Sequence, residues 1–365
     1  FKARKLFNKF RLDLDVNNSE VYQLIKETTY KDIILDYSQL RIGLLHYLKI
    51  ALPKNALIAT TSYTIFDMVN IILNSENKPI FVDIEKENLG PSRDQLINLV
   101  INREVDCIIY TYLHGYKTDI YELSKICKKY GCILIEDCAQ SLWNFDKPVK
   151  SLPGSFGDVA LFSTGLYKNI NSISGGILCL NSYDQISSKL LKEHKKLNNF
   201  ISKDFLYRFF YSFFFEIITN KYVFSLVTFQ ILKFGFNKNL EFINKRAREE
   251  NNPRYIKRSS QDILKMNFIQ KLLIIFKTKK SLIHDFQIKN RLAQIYLENL
   301  DNRIINNYIN IPGLNKDFNY IEFKKISSNN QIPIICKNRD RLLKYLINNN
   351  FDIAAQHIKN LSSVE

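Results

Sequence analysis

Six cysteines are scattered through the 365 residues, and no two of them form a CxxC pair. Cys107, Cys127, Cys132, Cys138, Cys179 and Cys336 fall mostly in apolar, strand-like runs. This pattern argues against a zinc ribbon or a disulfide scaffold and reads as free buried thiols in a reducing cytoplasm. No metal is expected. A membrane span needs about 20 largely uncharged apolar residues, and no stretch supplies them. The densest, 205–236, is interrupted by Arg208, Glu216, Lys221 and Lys233. Helix-turn-helix, zinc-finger and RNA-binding signatures are missing, so no nucleic-acid partner is expected. Internal repeats and low-complexity tracts are missing as well. Residues 1–14 are basic and aromatic without a continuous apolar segment, a poor signal peptide.

Acidic residues are few beside basic ones, 36 against 52, for a formal net charge of +16. A chain so rich in Lys, Asn and Ile carries much of that charge as a solvated basic surface. The specific partners it suits are a phosphorylated small molecule or an anionic lipid surface. At 46% hydrophobic and 13% aromatic residues, the chain folds over most of its length. Its size favours one large domain plus a smaller one.

An alternation of elements fills the first half. A capped helix is expected at 19–25, and a turn at 36–39 leading into an apolar-faced helix to 48. Strands follow at 56–60, 79–84, 106–110, 132–136, 158–162 and 177–180. Helices separate them at 64–73, 93–101 and 119–130, with one more running through 194. Continuous apolar strands between amphipathic helices predict an α/β fold with a mostly parallel sheet covered on both faces, whose ligands gather at the carboxyl ends of the strands. The aromatic stretch 205–236 predicts two helices broken near 219–220. They either pack on protein or dock in the plane of an anionic membrane surface. A basic arm at 244–260, long helices at 261–276 and 280–299, a strand at 332–335, a helix at 339–347 and a strand-like 351–355 complete a smaller C-terminal α+β lobe. The organisation expected is a large domain over 1–199, an aromatic helical insertion and arm over 200–260, and connecting helices with the small domain over 261–365.

Chemistry concentrates in 133–176. One apolar run ends in Glu136-Asp137 and continues to Ala139-Gln140; a second leads into Ser163, a loop carrying Lys168, and Gly175-Gly176. Taken singly, Asp137 reads as a strand-end cap and Lys168 as a solvent-facing lysine. Taken together, a carboxylate and a lysine at neighbouring strand ends can hold a pyridoxal phosphate ring between them. The carboxylate keeps the ring nitrogen protonated and the amine reacts at the other end.

The runs ILIEDCAQS, GSFGDVALFSTGLYKN and SGG, with TSYTIFDMVNIILNSENKPIFVDI upstream, resemble the DegT/DnrJ/EryC1/StrS sugar aminotransferases, fold-type-I pyridoxal-phosphate enzymes. The likeness is good over 40–180, weak from 266 onward and absent over 205–258. It implies that Lys168 binds the cofactor covalently and moves the proton, that Asp137 meets the ring nitrogen, that Gln140 packs on the ring or its 3′ oxygen, and that Ser163 binds the phosphate. Arg41 stands at a helix start where many relatives have Gly-Thr or Gly-Ser, and is expected to bind phosphate. The ring-stacking aromatic is replaced by Ile65, leaving Tyr63 or Phe66 to stack, and Ile263 aligns with an asparagine usually given by a partner subunit. His194, Tyr112 and His114 are expected near substrate. The implied activity moves an amino group, most simply from glutamate, onto a nucleotide-linked keto-sugar for surface glycans, in a cytoplasmic homodimer; peripheral membrane contact through 205–236 is the alternative reading of the aromatic stretch itself, beside packing on protein. Relatives that dehydrate the sugar carry His at the lysine position, so Lys168 favours transamination. A pyridoxal-dependent sugar dehydratase and a degenerate, non-catalytic, membrane-associated relative are the alternatives.

Overall fold

The computed structural model describes residues 16–141, 152–166, 168–182, 185–199, 203–240, 242–243, 255–300, 309–314, 323, 327–328, 331–353 and 359–360. Residues 1–15 and most of the basic arm lie outside them.

Helix α1 (Glu20–Thr29) starts where Ser19 accepts the Tyr22 N–H, as its position before an apolar-periodic run requires. Strand β1 (Ile33–Tyr37) then occupies residues expected as the start of a turn, a correction to the sequence reading. Asp36 made the segment look turn-like, but β1 is an edge strand, where a charged side chain is tolerated. After it come α2 (Leu40–Ala51), β2 (Leu57–Thr61), the two-residue β3 (Tyr63–Thr64), α3 (Phe66–Asn74), β4 (Lys78–Val82), α4 (Arg93–Ile101), β5 (Cys107–Thr111), α5 (Tyr121–Tyr130) and β6 (Ile133–Asp137). Strands β7 (Val159–Ser163) and β8 (Gly176–Leu180) and helix α6 (Gln185–Lys196) complete this half.

The sheet order is β1-β8-β7-β6-β5-β2-β4. All neighbouring pairs from β4 through β7 are parallel, and β8 runs antiparallel to both β7 and β1. Two apolar clusters cover its faces. One joins Leu134, Ala160 and Phe162 to α1, α4 and α5; the other joins Ile135, Val159 and Leu161 to α2, α3 and α6. This is the mostly parallel, doubly covered sheet expected from the continuous apolar strands.

The aromatic stretch forms α7 (Lys203–Thr219), a break at Asn220, α8 (Lys221–Val223), a π-helical turn (Phe224–Thr228) and α9 (Phe229–Asn237). The break lies where the sequence placed it, because Asn220 caps α8 through the Tyr222 N–H. Among the described residues no helix is long and apolar enough to cross a membrane.

The helix expected from 261 is shorter. It is α10 (Phe268–Phe276), opened by a capping box in which Asn267 and Gln270 exchange side-chain-to-backbone bonds. Helix α11 (Lys279–Glu298) follows, then β9 (Ile309–Asn310) paired antiparallel with β10 (Ile335–Cys336), and α12 (Arg339–Asn348). The strand expected at 332–335 is thus reduced to a two-residue pair. Residues 351–353 are irregular rather than strand, and 354–355 lie outside the described residues. The closing strand pair is instead β11 (Lys359–Asn360) against β3.

Candidate active site

Strand alternation sorts the carboxyl ends of β5, β6 and β7 into two sets, because side chains two apart share a face. Leu134 and Cys138 lie in one apolar cluster and Ile135 in the other. Glu136 therefore shares a face with the first pair, and Asp137 faces the α2 side with Ile135. By the same count Thr111 on β5 and Ser163 on β7 share Asp137's face, and Tyr112 shares that of Glu136.

The hydrogen bonds follow this division. Asp137 Oδ1 accepts the Ala139 N–H at 3.0 Å, and the Thr111 hydroxyl reaches Oδ2 at 3.5 Å. On the opposite face Glu136 accepts four bonds: Tyr112 Oη–H at 2.6 Å and the Gly154 N–H at 2.8 Å on Oε2, and the Phe156 and Gly157 N–H groups at 2.8 and 2.6 Å on Oε1. Glu136 ties the loop before β7 to β6, a role not read from the sequence. Two adjacent carboxylates on a strand must face opposite ways, which was the available signal. Its backbone donors lie 18 to 21 residues away, which no local pattern shows. Glu136→Ala is expected to lower folding stability by at least about 3 kcal/mol, since each buried donor left without an acceptor costs roughly 1–3 kcal/mol. Urea denaturation measures this, and a loss under about 1 kcal/mol would contradict the role.

A cleft of about 290 Å³, counting the space that opens to solvent, is lined by Cys138, Ala139 and Gln140 after β6 and by Phe162, Ser163, Lys168, Asn169 and Ile170. Burial pushes the Asp137 carboxyl above the usual range, opposed by the Ala139 N–H, the Lys168 charge and the Thr111 hydroxyl. Burial pushes the Lys168 ammonium below its usual value, opposed by Asp137. A desolvated amine and a desolvated carboxylate thus answer each other across one site.

The loop that carries Lys168 is held tightly. Thr164 N–H donates to Gly175 O at 3.0 Å, Ser172 N–H to Thr164 O at 2.8 Å, and the Ser172 hydroxyl to Thr164 Oγ1 at 2.8 Å. Gly175 has φ +152°, and a Cβ there would meet Thr164 Oγ1 at 2.3 Å; one on Gly176 would lie 2.2 Å from the Leu40 Cα. The double glycine lets the loop close on itself and lets β8 pass against the start of α2. Gln270, fully buried in the first turn of α10, donates to Ser174 O and Ser174 Oγ and so fixes the loop from outside. Lys289 on α11 donates to Asn169 Oδ1. Neither Gln270 nor Lys289 was picked out from the sequence; the Asn267–Gln270 spacing was the one available signal for the former.

The other expected residues are distributed as follows. Gln140 lines the cleft, and its side chain accepts the His114 backbone N–H at 2.7 Å from outside it; His114 Nδ1 lies 2.8 Å from Gln331 Oε1. Tyr112 is buried on the far face against Glu136 and Tyr110. His194 lies at the β1 edge of the sheet, its Nε2 2.8 Å from Asp36 O and its ring edge-on to Tyr37, three strand positions from β6. Ile65 is exposed, Tyr63 half-buried, and Ile263 buried in the apolar cluster on the α2 side. Arg41 is ion-paired with Asp67, and burial, then Arg258 and Arg208, lowers its pKa to about 10. Three guanidinium groups against one carboxylate leave positive charge at the start of α2. The register Ser163–Gly176–Tyr37 brings β1, which leads into that helix, to about 10 Å, two strand spacings, from Ser163. There the Gln39 side-chain oxygen is buried without a hydrogen-bond partner.

These residues fit pyridoxal phosphate. Asp137 is desolvated and suited to a cationic ring nitrogen, Lys168 lines the cleft with an amine of lowered pKa, and a basic helix start suits a phosphate.

Residues 39–203 match the DegT/DnrJ/EryC1/StrS aminotransferase family. A GDP-perosamine synthase of Vibrio cholerae is 34% identical over 131 residues, 36% of this chain and 35% of that protein. The chain spans between about a third and a half of the length of the curated relatives it matches. In fold it is similar to Helicobacter pylori PseC, an aminotransferase of pseudoaminic acid biosynthesis (TM-score 0.62, 16% identity, 94% of this chain and 77% of that one). It is equally similar to an E. coli GDP-4-keto-6-deoxy-D-mannose-3-dehydratase with bound hydrated PLP (TM-score 0.62, 15% identity, 96% and 80%).

Proposed function

From a chain whose residues 39–203 belong to the DegT/DnrJ/EryC1/StrS aminotransferase family, we propose a pyridoxal-phosphate-dependent aminotransferase that moves an amino group from glutamate onto a nucleotide-linked keto-sugar. The observation that carries this reading is that Ser163 and Lys168 line one cleft at the strand ends, with buried Asp137 at the adjacent end of β6 close enough for its charge to act on Lys168. Bound pyridoxal phosphate supplies an electron sink that lets the carbon–hydrogen bond beside the nitrogen break. Asp137 holds the proton on the ring nitrogen, aided by a buried site in which its charge is weakly screened. Lys168 Nζ would hold the cofactor covalently and, as a free amine, would carry the proton between the substrate carbon and the cofactor carbon that the amine had held. Ser163 and the start of α2, with Arg41, Arg208 and Arg258 beside it, hold the phosphate and draw in an anionic substrate. Gln140, set by the His114 N–H, forms the wall beside the ring.

A lysine in this loop, rather than a group unable to attach covalently, favours amino transfer over dehydration. The cofactor site falls within the proposed large domain, 1–199. The proposal includes a homodimer working in the cytoplasm in surface-glycan synthesis, in keeping with the GDP-perosamine synthase likeness. ¹⁵N-glutamate and a nucleotide-linked 4-keto-6-deoxy-sugar test it: the amine of the product sugar should carry ¹⁵N by mass spectrometry. Loss of water from the sugar without nitrogen uptake would instead indicate a dehydratase.

A further inference from the structure

Helix α7 presents its apolar stripe outward. Leu206, Phe210, Phe213, Phe214 and Ile217 are spaced i, i+4, i+7, i+8 and i+11, within about 100° of the helix circumference. All are exposed, Phe210 by 66%, Phe213 by 64% and Phe214 by 58%. After the Asn220 break Leu226 is 76% and Phe234 57% exposed. A soluble surface helix turns such a stripe to the core; clustered exposure of this kind marks a surface that meets an apolar phase.

The hairpin is nevertheless fixed in place. At its start Phe205 is buried with Ile173 of the lysine loop. The Thr228 hydroxyl donates across the hairpin to Ile218 O at 2.8 Å. At its end Lys233 Nζ donates to Asn348 O and Asn350 Oδ1, both at 2.9 Å, and Asn237 bonds Asn348 at 2.9 Å. The aromatic face is therefore held outward by bonds on its inner side.

We propose that the α7–α9 hairpin docks the enzyme in the plane of an anionic lipid bilayer, its phenylalanine stripe in the headgroup–acyl boundary and its basic residues on the lipid phosphates. Charge favours this occupant. The stripe contains no charged residue, while Lys221 stands just past its end and Lys238 follows α9, the arrangement of an interfacial helix. A second copy would bring the same basic charge to the same place, in a chain that already carries +16. Because Phe205 packs on Ile173 in the same loop as Lys168, docking would hold the active-site cleft close to the bilayer surface.

Flotation of the intact protein with phosphatidylcholine vesicles, with and without phosphatidylglycerol, tests this. Binding is expected with the anionic vesicles only, weakening as salt screens the contact. The triple substitution Phe210→Ser, Phe213→Ser and Phe214→Ser should abolish it while pyridoxal phosphate uptake, the check on folding, is unchanged. Lys221→Gln should weaken it about fivefold, the effect of one basic residue near the surface; this variant serves should the triple one not fold. No flotation of the intact protein, equal flotation with neutral vesicles, or undiminished flotation of the triple variant would overturn the proposal. So would a dimer in sedimentation that the triple substitution dissociates without any vesicle binding, since the stripe would then be an interface between copies.

Discussion

Lys168→Ala is expected to leave a folded protein that holds no borohydride-stable pyridoxyl group and turns over at least about 10²- to 10⁴-fold more slowly, the range for losing a positioned proton-transfer group. The lysine is not needed to close its own loop. That loop is held by Thr164, Ser172 and Gly175 among themselves and by Gln270 from α10. Truncation also removes a desolvated ammonium, whose pKa burial has already lowered, so no structural collapse is expected. Added methylamine should restore part of the rate to this variant if the amine's role is chemical. Circular dichroism and single-turnover kinetics with glutamate separate that from misfolding. Retention of a reducible pyridoxyl adduct in Lys168→Ala would mean that another lysine carries the cofactor.

Asp137→Asn is expected to have the second largest effect, slowing turnover by about 10²- to 10³-fold, the usual loss on removing one preorganised electrostatic partner. Its effects on the cofactor-free protein run the other way. Burial raises the Asp137 pKa in the folded chain above the ordinary 3.8. The folded state therefore binds this proton more tightly than the unfolded state. The resulting stabilisation is fully present below about 3.8 and is lost as pH rises through the raised folded value. As pH rises through that raised value the charged carboxylate becomes a cost to the cofactor-free fold, so Asn should raise its melting temperature increasingly toward neutral pH and have little effect in acid. Asp137 is also the group that raises the Lys168 pKa against burial. Without it the amine loses its proton at lower pH, and the pH profile for covalent cofactor uptake should shift downward. A shift upward, or a neutral-pH melting temperature lowered by Asn, would contradict the placement of the two residues in one electrostatic site.

How far the sequence could be read depended on how local each signal was. Strands β5, β6, β7 and β8 were evident because runs such as Ile133-Leu134-Ile135 are apolar on both faces, as a covered parallel sheet requires. The short edge strand β1, with Asp36 inside it, lacked that mark and looked like a turn. The start of α10 was misplaced although Asn267 and Gln270 have the spacing of a capping box. Asp137, Gln140, Ser163 and Lys168 could be grouped because they close adjacent strands or the loop between them. Strand alternation alone would have put Tyr112 with Glu136, on the face away from Asp137. No local pattern could place His194 against Asp36 and Tyr37, or Gln270 against Ser174, since these partners lie 158 and 96 residues apart in the chain.

The most direct measurement is the peptide map of the wild-type protein after incubation with pyridoxal phosphate and reduction with borohydride. The pyridoxyl mass should appear on the peptide containing Lys168 and on no other, and prior incubation with glutamate should remove it. A label on Lys289, the neighbouring lysine on α11, or no label at all under saturating pyridoxal phosphate, would contradict the assignment of this cleft as the active site.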